Sequence, residues 1–311
     1  MSAQPVLAGP PASPGRKRRR QNSDGLPAAL PWIGPVLLLI FAIVIFPAGF
    51  MIFNSTRDIS QSGIDQGTAG FANFAEVFSD PNLPRVLLNT VVWVVVVVSL
   101  TVLISLALAQ FLNKPFPGRT LVRMAVVVPW AASVVMTTTV FYYGLDSNYG
   151  IMNTFLVDLG ILDSPYGFTK NVIPALGVAI IVAIFVSIPF TAYTLLAGLQ
   201  SVPEDALEAA KMDGAGPFRT YFSIVLPQLR GALAVAVLIN IINVFNNLPI
   251  LRIITGSIPG YQADTLMTYI FKVLQFDRRV DLASALSVVN FAIVIVIVAA
   301  YVKIVKPMKE I

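Results

Sequence analysis

The chain has 311 residues, 56% hydrophobic and only 12% charged, with a formal net charge of +5. About a quarter of the residues in a typical soluble domain are charged, so this composition excludes a water-soluble enzyme. Cys and His are both absent, which excludes disulfides, thiolate nucleophiles, imidazole-dependent triads and Cys/His metal sites. No Gly-Lys dipeptide exists from which a Walker A phosphate loop could be built.

The segment 1–28 is rich in Pro, Gly, Ala and Ser and carries Arg16, Lys17, Arg18, Arg19 and Arg20. Such a composition cannot bury a core, so it reads as a disordered, basic, cytoplasmic tail rather than a nucleic-acid-binding arm. The apolar run behind it is longer than a signal-peptide h-region, and no small-residue cleavage site follows. With Asp, Glu, Lys and Arg taken as breaks, six uncharged stretches reach 21 residues or more: 25–56, 86–113, 124–145, 171–203, 231–251 and 282–302. A helix needs about 20 apolar residues to cross a hydrocarbon core of about 30 Å. The expectation is an all-α membrane protein with six transmembrane helices, over about 30–53, 86–111, 122–144, 172–199, 230–251 and 282–302.

The fourth span carries Ser187, Phe190, Thr191 and Tyr193 around Pro189, which permits a kink. Phe190 or Tyr193 could stack on the flat face of a solute or simply pack. The loop 200–228 that follows is written as two short helices. Ser201 and Glu204 have capping-box spacing, Ala206 to Ala210 favour helix, and Gly214 suits a left-handed C-terminal position. Gly216-Pro217 restarts a helix through Phe218, Tyr221 and Phe222 until Pro227 breaks it. Ala206 and Ala210 share a face on which a partner could approach closely; the alternative is a hairpin packed on its own bundle. In the fifth span Asn240, Asn243 and Asn247 stand at i, i+3 and i+7, on one face of a continuous helix. Buried amides need partners, so these serve either as interhelical hydrogen bonds or as a neutral wall for a hydroxyl-rich solute. With Ser187 and Phe190 they form the candidate substrate path.

The connection 252–281 has a turn signal at Ile258-Pro259-Gly260. Leu266, Tyr269, Ile270, Val273 and Leu274 follow at helical spacing, as a helix lying on the outer membrane surface or packed in the loop. With both termini inside, the inner segments, including the tail 306–311, hold 14 of the 21 basic residues, and the outer ones hold 10 of the 16 acidic residues. Positive charge favours the cytoplasmic side, so both termini are placed there. No ionisable group interrupts the apolar stretches, which argues against a proton- or ion-driven carrier.

From Glu208 the chain reads Glu-Ala-Ala, three residues, Gly214, nine residues, then Ile224-x-Leu226-Pro227. This resembles the EAA loop in permease subunits of bacterial binding-protein-dependent ABC importers. Phe71-Ala-Asn-Phe-Ala-Glu-Val-Phe, Leu88-Asn89-Thr90, Val128-Pro129-Trp130 and Tyr149-Gly150-Ile151-Met152-Asn153 also fit the family. So do Leu196-Ala197-Gly198-Leu199-Gln200, Thr265-Leu266 with Tyr269-Ile270, and Ala283-Ser284-Ala285-Leu286-Ser287. The resemblance covers nearly all of 29–305 and points to the carbohydrate branch, its maltose-permease-like (MalF-type) subunits. Gly256-Ser257-Ile258-Pro259 departs from the family's usual Gly-Gly-Pro turn.

The resemblance implies a multi-pass subunit in the bacterial inner membrane that imports a sugar or oligosaccharide. Its partners would be a second related permease, two ATP-binding cassette subunits and an extracytoplasmic solute-binding protein. ATP and Mg would be bound by the ATPase subunits, leaving this chain no cofactor, metal or catalytic residue. Glu208, Ala209, Ala210 and Gly214, with Asp213, Ile224, Leu226 and Pro227, would couple it to the ATPases. An importer of glycerol-phosphate or another small polar solute is the alternative within the family. A stand-alone secondary carrier or channel is the alternative outside it.

Overall fold

In lipid the backbone must satisfy its own hydrogen bonds, and a long uncharged helix does so. A computed structural model describes residues 25–305, and the basic run Arg16 to Arg20 and the tail 306–311 lie outside the described residues. The first candidate span, Pro31–Asn54, is one such helix. It begins within α1 (Gly25–Ile40), passes through a π-turn at Phe41–Ile45, and ends as α2 (Phe46–Asn54). The chain divides into two compact units, Met1–Phe50 and Met51–Ile311. All elements after α2 belong to the second.

A two-stranded antiparallel ribbon, β1 (Arg57–Ile59) with β2 (Asp65–Thr68), pairs Arg57 with Thr68. After α3 (Ala72–Ser79) come α4 (Leu83–Asn113), α5 (Arg119–Ala131), α6 (Val134–Gly144), α7 (Ile151–Asp158) and α8 (Val172–Gln200). A helical hairpin follows, made of α9 (Glu204–Met212), α10 (Pro217–Thr220), a π-turn at Tyr221–Val225 and α11 (Leu226–Gln228). The chain closes with α12 (Arg230–Phe245), α13 (Pro249–Thr255), α14 (Leu266–Gln275) and α15 (Val280–Val305).

Among the described residues four helices are long and apolar enough to span: Pro31–Asn54, α4, α8 and α15. Two bent pairs bring the total to as many as six if each pair is counted as one span. The third expected span turns by 91° between α5 and α6. Pro129 lacks the N–H that would continue the ladder, and Ala132 and Ser133 are extended. The expected fifth span, 230–251, is also not one helix. It ends at Phe245 and α13 starts at Pro249, while α12 meets the hairpin at 68°. Its 16 residues rise only about 24 Å.

Lipid tails are as apolar as Leu, so packing rather than water exclusion holds spans together. Ala175, Ala179 and Ala183 form a buried stripe of small residues on α8. Around it Trp93, Val97, Val182, Ile250 and Ile254 make one core cluster, and the Trp93 indole donates to the Val244 carbonyl at 2.8 Å. A second cluster joins Val77, Val86, Leu266, Tyr269 and Leu286. A third, around Leu112, Leu195, Leu199, Val225 and Leu229, lies at the hairpin end.

Several family-like motif residues are buried staples. Asn73 Nδ2 donates to the Ser55 and Arg57 carbonyls, and Asn89 Nδ2 to those of Gln262 and Asp264. Thr90 Oγ1 receives the Leu266 N–H at 2.8 Å, and Asn153 Nδ2 reaches the Leu145 and Tyr166 carbonyls. Asn89 and Thr90 tie backbone distant in sequence into the bundle, while Asn73 and Asn153 close local loops. Gly198 has a steric role, since a Cβ there would lie 2.6 Å from Ala232 Cβ.

Candidate functional site

The hairpin 200–228 is built as the sequence suggests, with two changes. The expected capping box does not form, because Pro203 is the N-cap of α9 and the Ser201 hydroxyl instead donates to the Gly198 carbonyl at 2.7 Å. Glu204 and Asp205 in the first turn and Lys211 in the last complement the helix dipole. Gly214 has φ +73°, and α9 closes with Ala215 N–H on the Ala210 carbonyl and Gly214 N–H on that of Lys211. These two hydrogen bonds satisfy two terminal carbonyls and need a left-handed residue, where a side chain would be strained.

The second change concerns the alanines. Ala210 is only 5% exposed and Ala206 half-buried, so the small face is turned inward rather than left open. Leu207, Val225 and Leu229 belong to the same cluster as Leu112 of α4 and Leu195, Leu196 and Leu199 of α8. The free face carries Glu208, Ala209, Asp213 and Gly214, with Met212 88% and Phe218 79% exposed. The sequence reading passed over Met212 and took Phe218 only as part of the second helix, because type alone does not tell an outward apolar residue from a packed one. Ile224, Leu226 and Pro227 are half-buried where the hairpin leads into α12. The hairpin thus has one face fastened to two long helices and one open, and a push on it is borne by α4 and α8.

The expected substrate path is not brought together as one wall. Asn240 is buried, and its Nδ2 donates to Thr191 Oγ1 and the Ala236 carbonyl, both at 2.8 Å, tying α12 to α8. Asn243 is exposed. Asn247 lies beyond the end of α12, and its Oδ1 receives the Ile250 N–H at the start of α13. The i, i+7 relation therefore has no continuous helix to act through. Ser187 is half-buried and its carbonyl accepts from Thr191, while Phe190 is exposed. The Tyr193 hydroxyl donates to the Arg123 carbonyl at 2.6 Å and is not free to meet a solute.

At the opposite end of the bundle α14 is packed rather than laid on a surface: Leu266, Tyr269 and Val273 are buried and Ile270 half-buried, while Leu274 faces outward. Lys272, itself buried, sits 2.9 Å from the fully buried Asp264 carboxylate and donates to the Gly260 carbonyl at 2.7 Å. It staples the 256–264 turn to α14. Burial pushes the Asp264 carboxyl above the ordinary range while Lys272 pulls it down. Nearby the Tyr261 hydroxyl donates to Asp277 at 2.8 Å and the Tyr269 hydroxyl to Asp80. The Tyr261 phenol is pushed up to about 12, first by burial and then by that bond. Arg279 bridges Glu76 and Asp281 at 3.1 and 3.0 Å.

Three comparisons bear on this architecture. Residues 25–308 match the family described as binding-protein-dependent transport system inner membrane component. A probable ABC transporter permease of Brucella suis is 32% identical over 270 residues, covering 87% of this chain and 93% of that one. The trehalose/maltose transport system permease MalF of Thermococcus litoralis is 29% identical over 271 residues, covering 87% and 90%. Among solved structures, a bacterial alginate ABC transporter in complex with a pentasaccharide-bound periplasmic protein aligns with a TM-score of 0.77 and 21% identity, over 92% of this chain and 96% of the other. That level of identity speaks for the fold.

Proposed function

The chain belongs to the family of binding-protein-dependent transport system inner membrane components, and from that premise we propose that it is the permease subunit of an ATP-driven importer for a sugar or oligosaccharide. The reading is supported by relatives named for sugar transport, trehalose and maltose among them. It is carried by one observation: a short helical hairpin whose inner face is fastened to α4 and α8 while Glu208, Met212, Asp213 and Phe218 stand free.

Both termini and the hairpin face the cytoplasm of a bacterial cell, following the distribution of Lys and Arg. The free hairpin face seats in an ATP-binding cassette subunit, and two such subunits bind ATP and Mg and perform the hydrolysis. Closure of that pair displaces the hairpin, and the packing at Leu207, Val225 and Leu229 passes the displacement to the spans. A second, related permease completes the pathway, and an extracytoplasmic solute-binding protein delivers the sugar to the α14 end.

The test is ATP hydrolysis by the purified, assembled complex, stimulated by its binding protein across a panel of sugars. One sugar should stimulate it together with uptake, and Glu208→Lys should abolish both while the chain remains in the membrane. Normal uptake by that variant would remove the docking role. Accumulation of solute by this chain alone would overturn the whole reading.

A further inference from the structure

A cleft of about 620 Å³ opens between the last turns of α4 and the α10 limb of the hairpin with its π-turn. Ligand clefts commonly measure about 300–1,000 Å³. The walls are apolar, with Leu103, Leu106 and Phe111 on one side and Phe218, Phe222 and Leu226 on the other. Three residues with polar groups interrupt them: Tyr221 on the hairpin side, and Gln110 and Lys114 one helical turn apart on the same face of α4 and its C-cap. The Gln110 Oε1 is buried and has no hydrogen-bond partner, an arrangement that costs free energy until a donor arrives. Lys114, the C-cap itself, is exposed and makes no ion pair among the described residues.

An apolar trough ending in an unmatched acceptor and an unmatched cation asks for a ligand with three parts: hydrocarbon, then a hydroxyl donor, then an anion. A sugar would find too little to hydrogen-bond along the walls. A second protein chain could cover the apolar part but does not by itself account for the free cation and the buried orphan oxygen. We propose that this cleft is a selective site for an anionic glycerophospholipid of the cytoplasmic leaflet. The proposal rests on the inward placement of the hairpin given above. The phosphate pairs with Lys114, a headgroup hydroxyl donates to Gln110, and the upper part of an acyl chain lies on Leu103, Leu106 and Phe222. Seated there, the lipid fills the gap between hairpin and α4 and braces one against the other, so that hairpin movement reaches the span with less slack.

The experiment is native mass spectrometry of the assembled importer given phosphatidylglycerol or phosphatidylcholine at equal concentrations. Wild type should retain phosphatidylglycerol several-fold better. Lys114→Gln should bring the ratio close to one, and Gln110→Leu should weaken phosphatidylglycerol retention without improving the other lipid. Lys114 is a surface residue, so its variant should assemble, and the Gln110 variant supplies a second reading. Equal retention of the two lipids by wild type, or an unchanged preference in Lys114→Gln, would overturn the site. So would a photo-reactive residue at Leu106 that cross-links to the second permease. Binding-protein-stimulated ATP hydrolysis is measured on the same preparation. Its presence without lipid preference refutes the lipid site alone, and its absence refutes the transport reading.

Discussion

Replacing Lys272 by Met keeps most of the apolar stem but deletes the ammonium that faces Asp264 at 2.9 Å and Gly260 O at 2.7 Å. The Asp264 side chain has no exposed surface, so it would be left as a buried charge without its partner, at a cost of about 3–5 kcal/mol. Adding Asp264→Asn removes the stranded charge. The Gly260 carbonyl then still lacks its donor, a penalty of about 1–3 kcal/mol, so the double variant should recover roughly 2 kcal/mol of the loss. Denaturant unfolding of the detergent-solubilised chain, followed by tryptophan fluorescence, measures both. The deficit should also depend on pH. Burial already raises the Asp264 carboxyl against the pull of Lys272, and without Lys272 it rises further. A carboxyl raised in the folded state destabilises that state above its folded pKa, and the penalty fades as pH falls through that value. Acidification should therefore narrow the gap between Lys272→Met and wild type. A double variant no more stable than the single one, or a gap unchanged on acidification, would refute the reasoning.

Other outcomes separate structural from functional roles. Asn240→Ala should destabilise the chain by about 0.6–1.7 kcal/mol in the same unfolding assay, since it cuts a hydrogen bond between helices within the bundle. Asn243→Leu, at an exposed position, should leave that transition unmoved; a lower uptake rate would then place Asn243 on the solute path. Gly214→Val forces a branched residue to φ +73° and should uncouple ATP hydrolysis from uptake while membrane levels stay normal. Tyr261 is raised from 10 to about 12, so the unfolded chain ionises first as pH rises. Its contribution to stability should be intact below about pH 10 and lost progressively toward pH 12, as read by alkaline unfolding of wild type against Tyr261→Phe.

The helical, multi-pass character was legible because it depends only on uninterrupted apolar length, a property of one segment at a time. The same holds for the hairpin's terminus at Gly214, where a residue without Cβ in the right place leaves little choice. The motif residues Asn73, Asn89, Thr90 and Asn153 were conspicuous in the chain, yet their partners were not. A side-chain amide can serve any carbonyl, and only the folded bundle brings Asp264 O to Asn89.

What the linear order could not decide are matters of facing and of contact. Ala210 and Glu208 stand two residues apart on one short helix, yet the fold buries the first and leaves the second exposed. The three asparagines of the fifth span look equivalent by spacing. They take different places because α8 packs against Asn240 but leaves Asn243 exposed, and because the helix stops at Phe245 before it reaches Asn247. Lys272 and Asp264 are eight residues apart, too far for one helical face. The 256–264 turn, which ends at Asp264, lies against the side of α14 that carries Lys272, and the low dielectric of the interior then strengthens their pairing. Segment length and local conformation are written in the chain itself; which charge meets which, and which face is left for a partner, follows from how the helices close on one another.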